Sequence, residues 1–368
     1  MKIACERENL LQAFQTVAAV APARSPKPIL QNVRIDAAEQ GVTLTATDLE
    51  IGVRHGVEGM EIKSPGSALL SVSQFGSILR ESADQTLRLE SDGQRTTVRG
   101  DRSLFQLPAA SVAEFPSVAA FDGDSYFEVP ARLLRELVRR TAFATDSESS
   151  RFALGGVKLE FENDQITAVG TDGRRLARMS GPVAIHGEPN TVSQNVIVPT
   201  RAMLLIERAV APSDAEVKVS IRGNEFLVQS QRAMVAARLL EGRFPEWRKV
   251  FPDAGGSTRI DLAVGPTHAA VRQAAIVTSE ESRGVDFSFG DGMLLLSGRS
   301  AEVGESRVEL PIGYDGEPIV ITLDPRYVVE FLKVLDADKT FQVALIDSES
   351  AAVCSKDDGF GYVIMPLA

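Results

Sequence analysis

Two rhythms of apolar and polar positions alternate along this chain. Runs such as VKLEFE (157–162), VKVSIRG (217–223) and FLVQSQ (226–231) alternate residue by residue and are punctuated by NDQ, GN and DG turns. That pattern predicts antiparallel strands with one buried and one solvated face. Other segments space their apolar residues three and four apart, as amphipathic helices do. They are RENLLQAFQTV (7–17), SQFGSILRESA (73–83), ARLLRELVRRT (131–141), TRAMLLIERAV (200–210), PTHAAVRQAAI (266–276) and PRYVVEFLKVL (325–335). Pro130, Pro199, Pro266 and Pro325 lie at or beside the first turn, where a missing N–H costs nothing.

The strand ends that precede these helices, at Cys5, Val72, Val129, Val198, Val264 and Leu323, recur roughly every 60 residues. Alternate ends lie roughly 125–135 residues apart, so a strand–helix half-unit occurs twice per domain and the domain three times. Related phrases support this: LTATDLEIGVRH (44–55), ITAVGTDGRRLARMSG (166–181) and LLLSGRSAEVGESRVEL (294–310), with closing phrases EFP (114–116), RFP (243–245) and IMP (364–366). The expected fold class is α+β: three tandem copies of one domain, at 1–122, 123–253 and 254–368, each with antiparallel sheets outside and two helices inside. Leu133, Leu134 and Leu137 fall on one side of the third helix, while Arg132, Arg135, Arg139 and Arg140 crowd the other.

Charge changes the picture. The whole chain is −11, which by itself argues against nucleic acid. The six helical windows, however, sum to +6 and leave −17 for the remainder. If three domains follow an arc with helices on the concave side, the inside attracts phosphates and the outside repels them. Two copies joined head to tail would close such an arc around a duplex. Diffuse phosphate contacts would then permit sliding, and no tight binding is needed.

Composition excludes several other classes. No run of 18 apolar residues spans a membrane, and MKIACERENL lacks a signal core, so a cytoplasmic location is expected. Cys5 and Cys354 imply no disulfide framework. One Trp and four Tyr are too few for stacking single-stranded nucleic acid. His55, His186 and His268 are isolated, and no HExxH, GxSxG or GxxxxGK[ST] occurs. The acids of GTDGRR and of GDG (290–292) read as turn residues. A magnesium site from Asp172 and Asp324 has no supporting pattern. The chain is therefore expected to be non-catalytic, with no cofactor and no metal. A carboxylate hydrolase and a protein-binding repeat scaffold stand as the alternatives. Metal-supplemented activity screens and DNA-topology assays separate them.

Several phrases together resemble the beta subunit of bacterial DNA polymerase III, the replicative sliding clamps. They are ERENLLQAFQTV, PILQNV (28–33), TATDLEIGV (45–53), GTDGRRLA (170–177), VIVPTRA (196–202), LEGRFPEWRKVFP (240–252), ESRGVDF (281–287) and YVIMPLA (362–368), and they span the whole length. The resemblance implies a homodimeric ring without 3'-5' exonuclease or other activity of its own. It also implies a clamp loader that opens the ring with ATP. The polymerase alpha subunit, other polymerases and repair proteins would dock through short Gln- and Leu/Phe-containing peptides.

The implied peptide pocket comprises Leu154, Thr171, Gly173, Arg174, Arg175, Leu176, Pro245, Lys249, Val250, Tyr327, Val363, Ile364, Met365, Pro366 and Leu367. Its apolar members suit an aromatic or leucine anchor. Arg24, Arg151 and Arg201 match the family's DNA contacts, and the Arg132, Arg135, Arg139 and Arg140 cluster joins them from the charge pattern. Phe105, Ile276 and Val277 match the dimer contacts. The chain departs from the family where a His often replaces Arg174, an aromatic replaces Ser282 and an Arg follows Ala368. It also lacks the Arg often found near Ser73 or Gln74. The first three departures bear on peptide preference.

Overall fold

The computed structural model describes residues 1–146, 153–188, 195–251, 257–280, 282–356 and 358–367. Among them are six α-helices, α1 (Arg7–Ala18), α2 (Val72–Glu81), α3 (Ala131–Thr141), α4 (Thr200–Ala209), α5 (Val264–Ala274) and α6 (Pro325–Lys333). Each lies within two residues of its sequence-based limits. Each follows a strand directly or after one residue: Lys2–Glu6, Gly66–Ser71, Tyr126–Pro130, Val196–Pro199, Thr258–Ala263 and Ile319–Leu323.

The chain forms two compact units. The first comprises Met1–Arg135, Val183–Gln194 and Arg201–Leu239; the second comprises Glu136–Pro182, Asn195–Thr200 and Leu240–Ala368. These divisions do not follow the three-repeat boundaries, because sheets continue across repeats. In the first unit, Ala233–Arg238 of the second repeat pairs antiparallel with Ile51–Val57 of the first, placing Val235 opposite Val53. In the second unit, Phe360–Ile364 pairs antiparallel with Arg175–Pro182, placing Val363 opposite Leu176. The first unit thus holds a five-stranded and a nine-stranded sheet, the second an eight-stranded and a four-stranded one.

The repeat is also visible atom by atom in one turn. Thr47 Oγ1 donates to Ile51 O and accepts from Leu49 N, while Asp48 Oδ1 accepts from the backbone of Glu50 and Ile51. Thr171 and Asp172 make the same bonds to Arg175 O, Gly173 N, Arg174 N and Arg175 N. Both turns need a left-handed residue. Gly173 fills it at φ 87°, whereas Leu49 holds 81° with a side chain, a conformation that costs on the order of 1–3 kcal/mol.

Helices bury their apolar faces as their spacing dictates. Leu10, Phe14 and Val17 of α1 and Phe75 and Leu79 of α2 are at most 2% exposed. Phe14 and Phe75 meet edge to face with ring centres 5.2 Å apart. Truncating Phe14 to alanine would cost about 3–5 kcal/mol. On α3 the buried side is Ala131, Leu134, Leu137 and Val138, with Leu133 only half-buried. Burial pushes both thiols, Cys5 and Cys354, up to about 12.

Candidate DNA and peptide interfaces

The residues expected to hold a peptide are all in the second unit. The antiparallel join between Arg175–Pro182 and Phe360–Ile364 brings two of the quoted phrases side by side. Met365 N then donates to Arg174 O at 2.9 Å, and Leu367 N to Thr322 O at 2.9 Å, so the C-terminal segment is pinned rather than loose. Beneath it lies an apolar floor of Ala153, Val169, Leu176, Ile197, Phe244, Trp247 and Val363. Leu154, Thr171 and Ile364 are buried beside it. Gly173, Arg174, Lys249, Val250, Met365 and Leu367 are exposed around it, and Pro245, Tyr327 and Pro366 are half-buried. Met365 at 45% and Val250 at 44% exposure present unpartnered apolar surface beside polar rims, the composition a peptide anchor requires.

Sequence reasoning named Leu176 and Val363 of this floor but missed the aromatic and charged groups that brace it. Trp247 donates its Nε1 proton to Glu160 at 3.2 Å, and Glu160 also takes Arg248 at 2.8 Å. The Phe251 ring lies against Gly361, leaving no room for a Cβ there, and Arg178 lies over that ring at 4.6 Å. The bulky aromatics in GRFPEWRKVFP were a signal for such packing; the Glu160 partner left none.

Arg175 departs from expectation. It is 8% exposed, so it cannot offer its guanidinium to a peptide. Asp172 at 3.0 Å, Glu330 and Phe143 O at 2.8 Å accept its protons. Its plane lies 4.5 Å from the Tyr327 ring centre and 5.5 Å from that of Phe143. Burial works against the charged form, but the Tyr362 and Glu330 partners outweigh it and hold the group charged. Arg175 is therefore a pillar under the site. Asp172 and Asp324 are likewise committed to their own arginines, Asp172 to Arg175 and Asp324 to Arg326 at 2.6 Å.

The arginines expected to meet DNA divide by burial. Arg24 and Arg132 are exposed, Arg24 in a loop and Arg132 on the first turn of α3. Arg201 is half exposed, paired with Asp48 at 2.5 Å, and donates to Val20 O at 2.8 Å just past the end of α1. Arg135 donates to Glu207 O and, at 2.8 Å, to Val210 O, at the end of α4. Arg139 is half-buried and pairs with Glu136 at 2.9 Å.

Arg140 does not stand on the outward face: it is 5% exposed and clamped between Glu136 at 2.7 Å and Asp358 at 2.8 Å. Four residues after Glu136, it turns back along the helix, and its guanidinium packs over the Phe360 ring at 5.1 Å. Arg151 lies outside the described residues.

The apolar residues matched to a dimer joint are not core. Ile276 is 74% exposed and Phe105 37%, and Val277 is intermediate. Phe105 stands on Leu104–Pro108, the edge strand of the five-stranded sheet. Ser306 of the edge strand Gly304–Pro311 bonds Ala274 O at 2.8 Å, next to the 3-10 turn Ala275–Val277. Each of these three residues thus lies on or beside an unpaired sheet edge.

This architecture, three domains of two strand–helix units each with continuous antiparallel sheets, is that of clamp proteins. Residues 1–119, 128–246 and 248–368 match, in turn, the N-terminal, central and C-terminal domains of the DNA polymerase III beta subunit. The chain belongs to that family. It is 28% identical to the beta sliding clamp of Escherichia coli strain K12, with both chains covered in full. It is also 28% identical to that of Chlamydia trachomatis, covering 100% of this chain and 87% of the relative. The crystal structure of the Pseudomonas aeruginosa DNA polymerase III subunit beta superposes with a TM-score of 0.87 at 28% identity, covering 100% of both chains. A structure of a Pseudomonas aeruginosa sliding clamp bound to griselimycin gives 0.89 at 27% identity, covering 100% of this chain and 99% of that one. The protein is a DNA sliding clamp, a non-catalytic processivity factor for the replicative polymerase.

Proposed function

We propose that two copies join head to tail through the free edges Leu104–Pro108 and Gly304–Pro311, with Phe105, Ile276 and Val277 buried at the joint. Edge pairing would remove two exposed ladders of backbone donors and acceptors. The three repeats would fall at 1–122, 123–253 and 254–368. Duplex DNA passes through the ring and touches cations without sequence readout: the exposed Arg24, Arg132 and Arg201 and the half-buried Arg139, with Arg151 as a further contact.

Clients dock at the C-terminal site, where an aromatic or leucine side chain enters the apolar surface between Val250, Tyr327 and Met365. These are the polymerase alpha subunit, other polymerases and repair proteins, and a clamp loader opens the ring. The setting is the cytoplasm; no helix among the described residues is long and apolar enough to cross a membrane.

The observation that carries this reading is the sixfold strand–helix repeat whose helical windows sum to +6 in a chain of −11. Loading onto nicked circular DNA tests it. After loading, the protein should remain on circles and be lost on linearisation. Equal retention on both forms refutes encirclement.

A further inference from the structure

The five-stranded sheet of the first unit carries a cavity of about 150 Å³ on the face that bears Arg88 and Arg99, and the buried Ile3 and Leu89 contribute to its lining. One row of that face runs through Glu61, Ala4, Arg88, Arg99 and Leu104, each in register with the next. Arg88 and Arg99 are therefore direct cross-strand neighbours. A sheet disfavours like charges so placed, and opposite charges are the usual solution. Their outer neighbours, Ala4 and Leu104, bring no counter-charge. The nearby acids are already engaged, Glu90 by Lys2 at 2.6 Å and Glu61 by Lys63 at 3.7 Å. Among the described residues neither Arg88 nor Arg99 has an ion-pair or hydrogen-bond partner for its guanidinium. Several other arginines on the sheets of this unit do have one: Arg34 takes Asp36, Arg232 takes Glu58 and Arg238 takes Glu50.

We infer that this face docks an acidic segment of a partner protein, whose carboxylates complete the two guanidiniums. Charge complementarity selects the occupant. Four cations, Lys2, Lys63, Arg88 and Arg99, and one carboxylate, Glu90, line the cavity of a chain that is otherwise acidic. Arginine forks grip carboxylates with two parallel bonds. An extended peptide lying on the sheet repeats same-side residues about every 6.5 Å, close to the separation of about 5 Å between paired strand positions. Acids at alternate positions would therefore reach both arginines. Nucleic acid fits less well: no aromatic ring lines the cavity for base stacking, and the cations form a patch rather than a track.

Fluorescence anisotropy of the full-length protein with a labelled peptide of alternating glutamate and serine tests the proposal. Saturable binding is expected at low salt and should vanish once screening shortens to about 3 Å near 1 M. Arg88→Ala with Arg99→Ala should weaken it by about tenfold or more, a loss of about 1.4 kcal/mol, while the dimer mass stays unchanged and the melting temperature holds or rises as the like-charge pair is removed.

A second variant separates docking from folding. Arg99→Glu places an acid opposite Arg88, so it should raise the melting temperature and abolish peptide binding. Four results would overturn the proposal. They are peptide affinity in both variants equal to that of the parent, tighter arginine-dependent binding of a labelled single-stranded oligonucleotide, full displacement by millimolar inorganic phosphate, and dissociation of the dimer by the double alanine variant. The last would assign the pair to the ring joint.

Discussion

Replacing Ile276 with aspartate should turn the ring into monomers without unfolding them. In the isolated chain Ile276 is 74% exposed, on the 3-10 turn just past α5. A surface substitution of that kind changes folding stability by about 0.5 kcal/mol or less. At a joint the same side chain would lose most of its exposed area to the partner, a gain of about 2 kcal/mol. A closed ring of two chains has two such joints, so losing the isoleucine costs about 4 kcal/mol, or about a thousandfold in the dimer dissociation constant. Aspartate adds the several kcal/mol needed to bury an unpaired carboxylate. Light scattering across a dilution series should show monomer mass at concentrations where the parent is dimeric, with circular dichroism melting curves superimposable. A dimer that persists at the same dilutions would refute the placement of the joint. A lowered melting temperature would show that Ile276 supports the fold instead.

Deleting residues 365–368 should abolish client-peptide binding in a titration and leave the dimer mass intact; loss of the dimer would misplace the site. Arg175→Ala strands Asp172 and the Phe143 carbonyl. It should cost about 2–3 kcal/mol in urea denaturation, after discounting the half-exposed Glu330, and Arg175→Lys should recover only part. Asp358 is pushed up by burial, but Arg140 and Lys356 more than offset this and hold its carboxyl below the usual 3.8. Its stabilisation is therefore complete above the ordinary carboxylate range and is lost as pH falls through the depressed value. The melting-temperature gap between the protein and Asp358→Asn should close on acidification, and a constant gap would contradict the ion pair. Both thiols, raised to about 12, should resist a disulfide reagent in the native state and react once guanidinium unfolds the chain.

Periodicity made the helices legible, because an amphipathic helix must bury one stripe and the stripe repeats at a fixed spacing. All six fell within two residues of their expected limits. The GTDGRR turn was legible too, since Thr171 Oγ1 and Asp172 Oδ1 bond to backbone a few residues away. What stayed hidden was long-range. Nothing local in Arg178 or Phe251 announces that they stack, and nothing in Arg140 announces Asp358, 218 residues on. The sheets' continuity across repeats was equally invisible, because an edge strand and a central strand of the same length share one alternating pattern. Burial of Arg175 escaped for the same reason: its cage is assembled from Asp172, Phe143, Tyr327 and Glu330, only one of which is near it in sequence.

Counting cations on helices overstates what DNA can meet, and the structure shows why. Several of these arginines serve helix ends instead. Arg7 donates to Leu79 O at 2.8 Å in the last turn of α2, Arg135 closes the end of α4, and Arg201 reaches Val20 O beyond α1. Carbonyls at a helix C-terminus lack intrahelical donors and carry the negative end of the dipole. An arginine from a neighbouring helix answers both needs and holds the two helices together. Such a cation still adds to the local positive potential, which acts at a distance through the low-salt field. Part of its hydrogen-bonding fork is nonetheless occupied, so it grips a phosphate less firmly than a free guanidinium would. In the ring proposed above, the direct contacts would then fall mainly to exposed side chains such as Arg24 and Arg132, and the basic layer would hold few strong grips. That is the condition a clamp needs. A ring that bound phosphates with every arginine would stall on DNA, whereas topological confinement with weak, interchangeable contacts lets it slide.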